Sequence, residues 1–196
     1  MVAPVLAIRP IAQAEPDLTG VAALVFTSRN GVAAFAGLTG ARDLPVFTVG
    51  DATAEAARTA GFDPVRSAGG DLSDLARLLA AEGPRTGVVM APGAREPAGD
   101  LAALMIDGPE VRSLAVYEAI ETGAVAAPDF DAVLVHSPRA ARAVAAMDAV
   151  RGRRVVAIST AAARPFGPRT GADLGVAETP TEAALLAALG NPAPAV

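Results

Sequence analysis

Cysteine is absent from this chain, and so is lysine: all 16 basic residues are arginine. Without cysteine there are no disulfides, no thiolate metal ligands and no thiol nucleophile. Without lysine there is no Schiff-base chemistry on a protein amine and no phosphate-binding lysine of a P-loop. The only histidine is His136, which argues against a His-rich metal site and an ordinary Ser-His-Asp arrangement. Tryptophan is missing and aromatics make up 4% of residues, so platforms for stacking nucleobases are scarce. The net charge is −5, and the only basic run, Arg151-Gly152-Arg153-Arg154, reads as a solvated loop before a strand. Nucleic acid is therefore not an expected partner. No apolar run approaches the roughly 20 residues of a membrane span. Met1-Val2-Ala3-Pro4 carries no basic region of a secretory signal, so a cytoplasmic chain is expected.

What remains is a chain 52% hydrophobic, enough for one large core or two small ones. Short apolar runs alternate with Ala/Leu-rich helical stretches. The expected strands are Ala23–Thr27, Pro45–Val49, Pro64–Ser67, Gly87–Met90, Asp131–Val135, Arg154–Ile158 and Gly175–Ala177. The expected helices are Asn30–Leu38, Thr53–Ala60, Asp71–Glu82, Pro97–Ile106, Pro138–Met147, Thr160–Phe166 and Thr181–Leu189. Asp71 is placed as an N-cap and Gly61 as a helix stop. Val111–Ile120 mixes apolar and polar residues and reads as a partly exposed strand or linker, not a buried core strand. After Gly190 a Pro/Ala tail is expected to fray. This alternation predicts βα units and a parallel sheet. Neither GxGxxG nor GxxxxGK[ST] occurs.

The sequence also repeats. Ala23-Leu24-Val25-Phe26-Thr27-Ser28 returns as Ala132-Val133-Leu134-Val135-His136-Ser137, and Val46-Phe47-Thr48-Val49 returns as Val155-Val156-Ala157-Ile158. Both pairs keep an offset of 109 residues. With a shift of one or two residues, Gly61 falls on Gly171 and Val65 on Val176. Two similar α/β lobes are expected. The boundaries are a linker strand over residues 1–16, a complete lobe over 17–110, a second linker strand over 111–120 and a second lobe over 121–196.

Parallel sheets bind ligands beyond the carboxyl ends of their strands. Helices begin there, and their free N–H groups and positive dipole ends favour anions. The turns at those ends supply Thr27, Ser28 and Asn30, then Gly50 and Thr53, then Ser137 and Arg139, then Ser159 and Thr160. If the lobes face each other, these donors line a cleft suited to a polycarboxylate. Each Ser or Thr also has the plain role of an N-cap, and capping is compatible with anion binding.

Three stretches resemble the uroporphyrinogen-III synthase family: Leu24-Val25-Phe26-Thr27-Ser28-Arg29-Asn30-Gly31-Val32, Phe47-Thr48-Val49-Gly50-Asp51-Ala52-Thr53-Ala54 and Leu114-Ala115-Val116-Tyr117-Glu118-Ala119. The likeness continues weakly through Ser137-Pro138, Ile158-Ser159-Thr160-Ala161 and Pro180-Thr181. The resemblance implies two flavodoxin-like parallel-sheet lobes joined by a two-stranded linker. It implies hydroxymethylbilane as substrate, loss of its hydroxyl as water, inversion of the terminal ring through a spiro intermediate and closure to uroporphyrinogen III. It implies no metal and no organic cofactor, and a monomer. Tyr117, the only tyrosine, matches the linker tyrosine that helps the hydroxyl depart. A phenol of pKa about 10 is a modest donor acid. Family members usually begin with a further strand and helix, so the second lobe is expected to lack its N-terminal βα unit, and Val5–Ile8 to be the first linker strand, pairing near Val116.

Two other readings stand beside this one. A non-catalytic two-lobed protein could use the same turns to bind an anionic small molecule, with Tyr117 incidental. A receiver-like signalling domain would want an acidic cluster and a lysine at its strand ends, and the chain has no lysine. Net negative charge opposes a polyanionic ligand, an effect that Arg29, Arg95, Arg139 and Arg164 would offset if they face it. His136 stands opposite Thr27 in the repeat, and a hydrogen-bonded structural or site-lining role is expected of it.

Overall fold

The computed structural model describes residues 4–105, 108–123, 130–167 and 170–190. The chain divides into two compact units. One is Ile8–Ala119, and the other joins Met1–Ala7 to Ile120–Val196. The chain thus passes between units twice, within β1 (Leu6–Pro10) and within β6 (Glu110–Glu121).

The first unit is built on a six-stranded sheet of order β1-β6-β5-β2-β3-β4, with β2 at Val21–Phe26, β3 at Val46–Thr48, β4 at Val65–Ser67 and β5 at Val88–Ala94. The pairs β6–β5, β5–β2, β2–β3 and β3–β4 are all parallel. The edge strand β1 runs the other way. Ile11 N–H donates to the Val116 carbonyl and Thr122 N–H to the Val5 carbonyl. β2 is a continuous apolar run because it is covered on both faces. On one face Phe26, Phe35 and Phe62 form a cluster with ring centroids 5.7–6.3 Å apart. It lies with Val32, Val46 and Val116 beneath α1 (Arg29–Ala36) and α2 (Asp51–Thr59). On the other face Ala23, Val25, Phe47 and Val89 meet Leu75 and Leu79 of α3 (Leu72–Glu82) and Leu101 of α4 (Leu101–Leu104).

Local signals set the helix ends. Asp71 accepts from the N–H groups of Ser73 and Asp74, while Asp74 accepts from the Asp71 N–H, a complete capping box. Gly61, at φ +90°, closes α2. Its N–H reaches the Arg58 carbonyl, and the Phe62 N–H reaches that of Ala57. The expected helix over Pro97–Ile106 shrinks to α4, because Gly99 and Asp100 defer the start and Asp100 caps it through the Ala103 N–H; Ile106 lies outside the described residues. β5 runs beyond Met90 to Ala94, held by its pairing with β6. β6 is the partly exposed strand expected over Val111–Ile120, with Glu110, Arg112, Ser113 and Glu121 exposed. It lies inside the sheet between β1 and β5, and Val116 and Tyr117 are buried. The expected pairing of the first linker strand near Val116 is present, and β5 supplies the neighbour on the other edge.

The second unit carries a three-stranded parallel sheet of order β7-β8-β9, from Ala132–Val135, Arg154–Ala157 and Asp173–Val176. α5 (Pro138–Ala145) and α6 (Thr160–Ala163) contribute to the core on one face with Val135, Val155 and Phe166. α7 (Glu182–Leu189) packs on the other through Leu185 against Val156. Among the described residues β7 is an edge strand, and Ala132, Val133 and Leu134 are half-buried. The expected tail after Gly190 lies outside the described residues.

The repeat extends to register. Leu24 stands opposite Val46 and Val46 opposite Val65; Val133 stands opposite Val155 and Val155 opposite Leu174. Every pair keeps the offset of 109, so Val65 corresponds to Leu174, not to Val176 as the shifted alignment had it. The caps agree as well: Ser28 has φ −156°, ψ 151° and Ser137 has φ −156°, ψ 152°.

Gly31 lies in the first turn of α1, where a Cβ would sit 2.9 Å from the Pro92 carbonyl oxygen of β5. In an ordinary helix interior Gly→Ala gains roughly 1 kcal/mol. Here the sign reverses: Gly31→Ala should destabilise the protein by about 1–3 kcal/mol, read as a lower urea midpoint with unchanged slope. A pH effect comes from α3. The Asp71 N–H, with the Arg77 charge assisting, holds the Asp74 carboxyl below its ordinary 3.8. Its stabilising contribution is present above that value and is lost as pH falls below it. The stability difference between wild type and Asp74→Asn should therefore be larger at pH 7 than at pH 3.

Candidate functional site

The carboxyl ends of β2, β3, β5 and β6 gather the sequence-predicted residues of the first unit. β2 ends at Phe26, and Thr27 beyond it is exposed. Ser28 leaves the strand in extended geometry and caps α1, its Oγ accepting the Gly31 N–H at 3.1 Å. Asn30 follows on the exposed face. Because Gly31 has no side chain, the start of α1 closes on Pro92 of β5. That approach brings Ser28 to the strand beyond, where Ser28 Oγ lies 3.0 Å from the Tyr117 hydroxyl of β6. The two residues are 89 positions apart in sequence. Tyr117 is only 8% exposed, with its ring in the phenylalanine-rich core.

The residue after Tyr117 was not singled out from the sequence. Glu118 accepts from Arg9 of β1, with Nε at 3.0 Å and Nη2 at 2.6 Å, and faces Arg95 Nε at 3.6 Å. The Arg95 N–H donates to the Tyr117 carbonyl at 2.8 Å. Three segments of the sheet are thereby tied together around Tyr117. The signal for Glu118 in sequence is only a carboxylate beside the lone tyrosine. Its arginine partners are set by strand pairing.

At the end of β3, Thr48 is buried, and its hydroxyl donates to the Gly50 carbonyl at 3.3 Å. Gly50 caps α2 without a side chain, its carbonyl accepting from the N–H groups of Thr53 and Ala54, each at 3.1 Å. Thr53 is 6% exposed, so Gly50 offers backbone to a ligand more readily than Thr53 offers its hydroxyl.

A cavity of about 570 Å³ opens beside these turns on the α3 and α4 side of the sheet, with Thr27, Arg95, Asp100 and Ser113 as polar lining and Val25, Leu72 and Leu101 as apolar lining. That size and mixture suit a small organic ligand. A cavity of about 560 Å³ near Pro84, Arg85, Met105 and Pro109 lies at the amino ends of β5 and β6, the end of a parallel sheet that ligands do not use.

In the second unit, Ser137 caps α5 through the Ala140 N–H at 3.2 Å, and Ser159 caps α6 through the Ala162 N–H at 3.3 Å. Arg139 is half-buried in the first turn of α5, and Thr160 is exposed at the start of α6. His136, exposed at the end of β7, places Nε2 2.8 Å from Glu182 Oε2 in the first turn of α7. Among the described residues no group of acidic or histidine side chains could hold a metal ion, and no helix is long and apolar enough to cross a membrane.

A comparison with curated proteins finds no match. Among solved structures, the chain is similar to uroporphyrinogen-III synthetase from Helicobacter pylori 26695, with a TM-score of 0.70 at 19% identity, over 93% of this chain and 88% of that one. At that identity the likeness is one of fold: a mixed α/β architecture on a mainly parallel sheet. The model of the family described as uroporphyrinogen-III synthase HemD matches residues 1–187. With nearly the whole sequence matched, this chain belongs to the uroporphyrinogen-III synthase family.

Proposed function

We propose that this chain cyclises hydroxymethylbilane to uroporphyrinogen III, with Tyr117 as the acid that releases the substrate's hydroxyl as water. Family membership carries the overall reaction, that of a lyase in porphyrin and haem biosynthesis. The observation that carries the site is the buried Tyr117 hydroxyl held 3.0 Å from Ser28 at the start of α1.

The chemistry asks little of strong acids or bases. The pyrrole nitrogen pushes electrons toward the hydroxymethyl carbon, the C–O bond breaks, and the phenolic proton of Tyr117 leaves with the hydroxyl as water. The azafulvenium cation so formed is attacked by the substituted carbon of the terminal ring, giving the spiro intermediate that inverts that ring. Rearrangement and closure release one proton, which returns to the phenolate. Spontaneous closure gives the uninverted isomer, so the protein's main contribution is geometry. A chain without lysine or cysteine can supply that.

Carboxylate recognition falls to helix starts and arginine. In the first unit we assign it to Thr27, Asn30, Gly50, Thr53 and Arg95, around the cavity and the N-termini of α1 and α2. In the second we assign it to Ser137, Arg139, Ser159 and Thr160, which occupy equivalent turns. The common register and cap dihedrals support reading the two units as copies of one fold. Family membership disfavours the alternative of a non-catalytic anion-binding protein.

Tyr117→Phe should lower kcat by about 100-fold, the low end of general acid catalysis, with KM within about twofold. The readout is uroporphyrinogen III formed from hydroxymethylbilane, resolved from isomer I; wild-type turnover would remove Tyr117 from the mechanism. Arg95→Ala should act in the opposite sense, raising KM several-fold with kcat little changed, as expected for binding shared by ground and transition states. An unchanged KM at low and high salt would remove Arg95 from substrate recognition.

A further inference from the structure

We propose that Ser28 is a positioning residue that acts through Tyr117, setting the direction of the phenolic proton instead of binding substrate. The inference rests on Tyr117 being the acid.

The sequence alone offers Ser28 as one more hydroxyl at a helix start. The structure commits that hydroxyl on both sides. A serine hydroxyl has one proton and two acceptor positions. The Gly31 N–H occupies one acceptor position at 3.1 Å, and the Tyr117 oxygen stands at 3.0 Å. Only one proton can lie between the two hydroxyl oxygens. If Tyr117 donated it, the phenolic proton would be directed into the protein and withheld from the substrate's leaving group. If Ser28 donates it, the phenolic proton is released to point away from Ser28.

Two features favour the second sense. Acceptance of the Gly31 N–H polarises the Ser28 hydroxyl and makes it a better donor, the cooperative strengthening expected of linked hydrogen bonds. Ser28 also caps an eight-residue helix, whose positive end favours the negative charge that builds on the Tyr117 oxygen as its proton leaves. A donor aimed at that oxygen is worth most when the charge is present. The arrangement is held rigidly. The Tyr117 ring is confined among Phe26, Phe35 and Val116 in the buried core. The Gly31–Pro92 approach fixes the start of α1. The hydroxyl rotors are then the remaining freedom, and Ser28 directs them.

A double-mutant cycle on the full chain tests this, with hydroxymethylbilane as substrate and isomer III as product. Ser28→Ala should lower kcat about fivefold to tenfold, the value of one hydrogen bond, and leave KM within about twofold. In the Tyr117→Phe background the same substitution should have no further effect on kcat. Ser28→Thr, which keeps donor and cap, should recover most of the rate. Ser28→Asp keeps the cap but only accepts when ionised, so it should fold like wild type by circular dichroism and lose at least as much kcat as Ser28→Ala. Equal losses from Ser28→Ala with and without the phenol would overturn the proposal and leave Tyr117 as the acid. So would wild-type kcat in Ser28→Asp. Wild-type turnover in Tyr117→Phe would overturn both assignments together.

Discussion

The start of α1 can reach β5 because residue 31 has no side chain, and the arrangement of the candidate site follows from that contact. A Cβ there would come within 2.9 Å of the Pro92 carbonyl oxygen, closer than packed atoms tolerate. With glycine in place, α1 settles over β2 and β5 with Val32 and Phe35 in the core. Its cap residue then lies over the small residues of β5, within reach of a tyrosine on β6. Steric permission at one backbone position thus becomes a hydrogen bond between residues distant in sequence.

The rest of the unit holds that arrangement still. β2 and β3 are apolar on both faces, and the rings of Phe26, Phe35 and Phe62 lock the helices above them. Arg42 stacks 4.6 Å from the Phe62 ring and donates to the carbonyls of Ala36, Thr39, Ala41 and Ala60. It satisfies groups at the ends of α1 and α2 that would otherwise lack partners. On the other side of Tyr117, Glu118 joins Arg9 and Arg95 across β1, β6 and β5. These exposed ion pairs add little stability by themselves. Their consequence is geometric, since they fix the strand that carries the tyrosine. A reaction that depends on holding a flexible chain in one of several closures needs such stiffness more than it needs strong acids.

Elements governed by short-range rules were legible in the sequence. α3 follows from Asp71, Asp74 and the leucine stripe, and α2 ends at Gly61 because that position needs positive φ. β2 and β8 both read as strands from their apolar runs. The repeat extends to the pairing of β7 with β8 and of β8 with β9, where the offset of 109 holds without a shift. Elements governed by neighbours were less legible. β6 read as a partly exposed strand or linker, and its polar residues do face solvent over the first half; its place inside the sheet, between β1 and β5, is set by strand pairing. The helix expected from Pro97 contracted because Gly99 and Asp100 compete with the apolar pattern that follows.

The sequence by itself determined the class of chemistry and the residues available for it. No lysine, no cysteine, one histidine and one tyrosine leave hydrogen-bond donors, arginines and a single phenol, and inventory is a property that folding cannot change. It also determined the alternating βα order and the turns where helices begin, because periodicity, caps and positive-φ glycines act over a few residues. Tertiary structure alone decided which of those donors meet. Ser28 and Tyr117 come together, and Glu118 takes two arginines, because strand order and the Gly31 contact bring non-consecutive segments side by side. Those pairings depend on packing summed over the whole sheet, which no local stretch of sequence records.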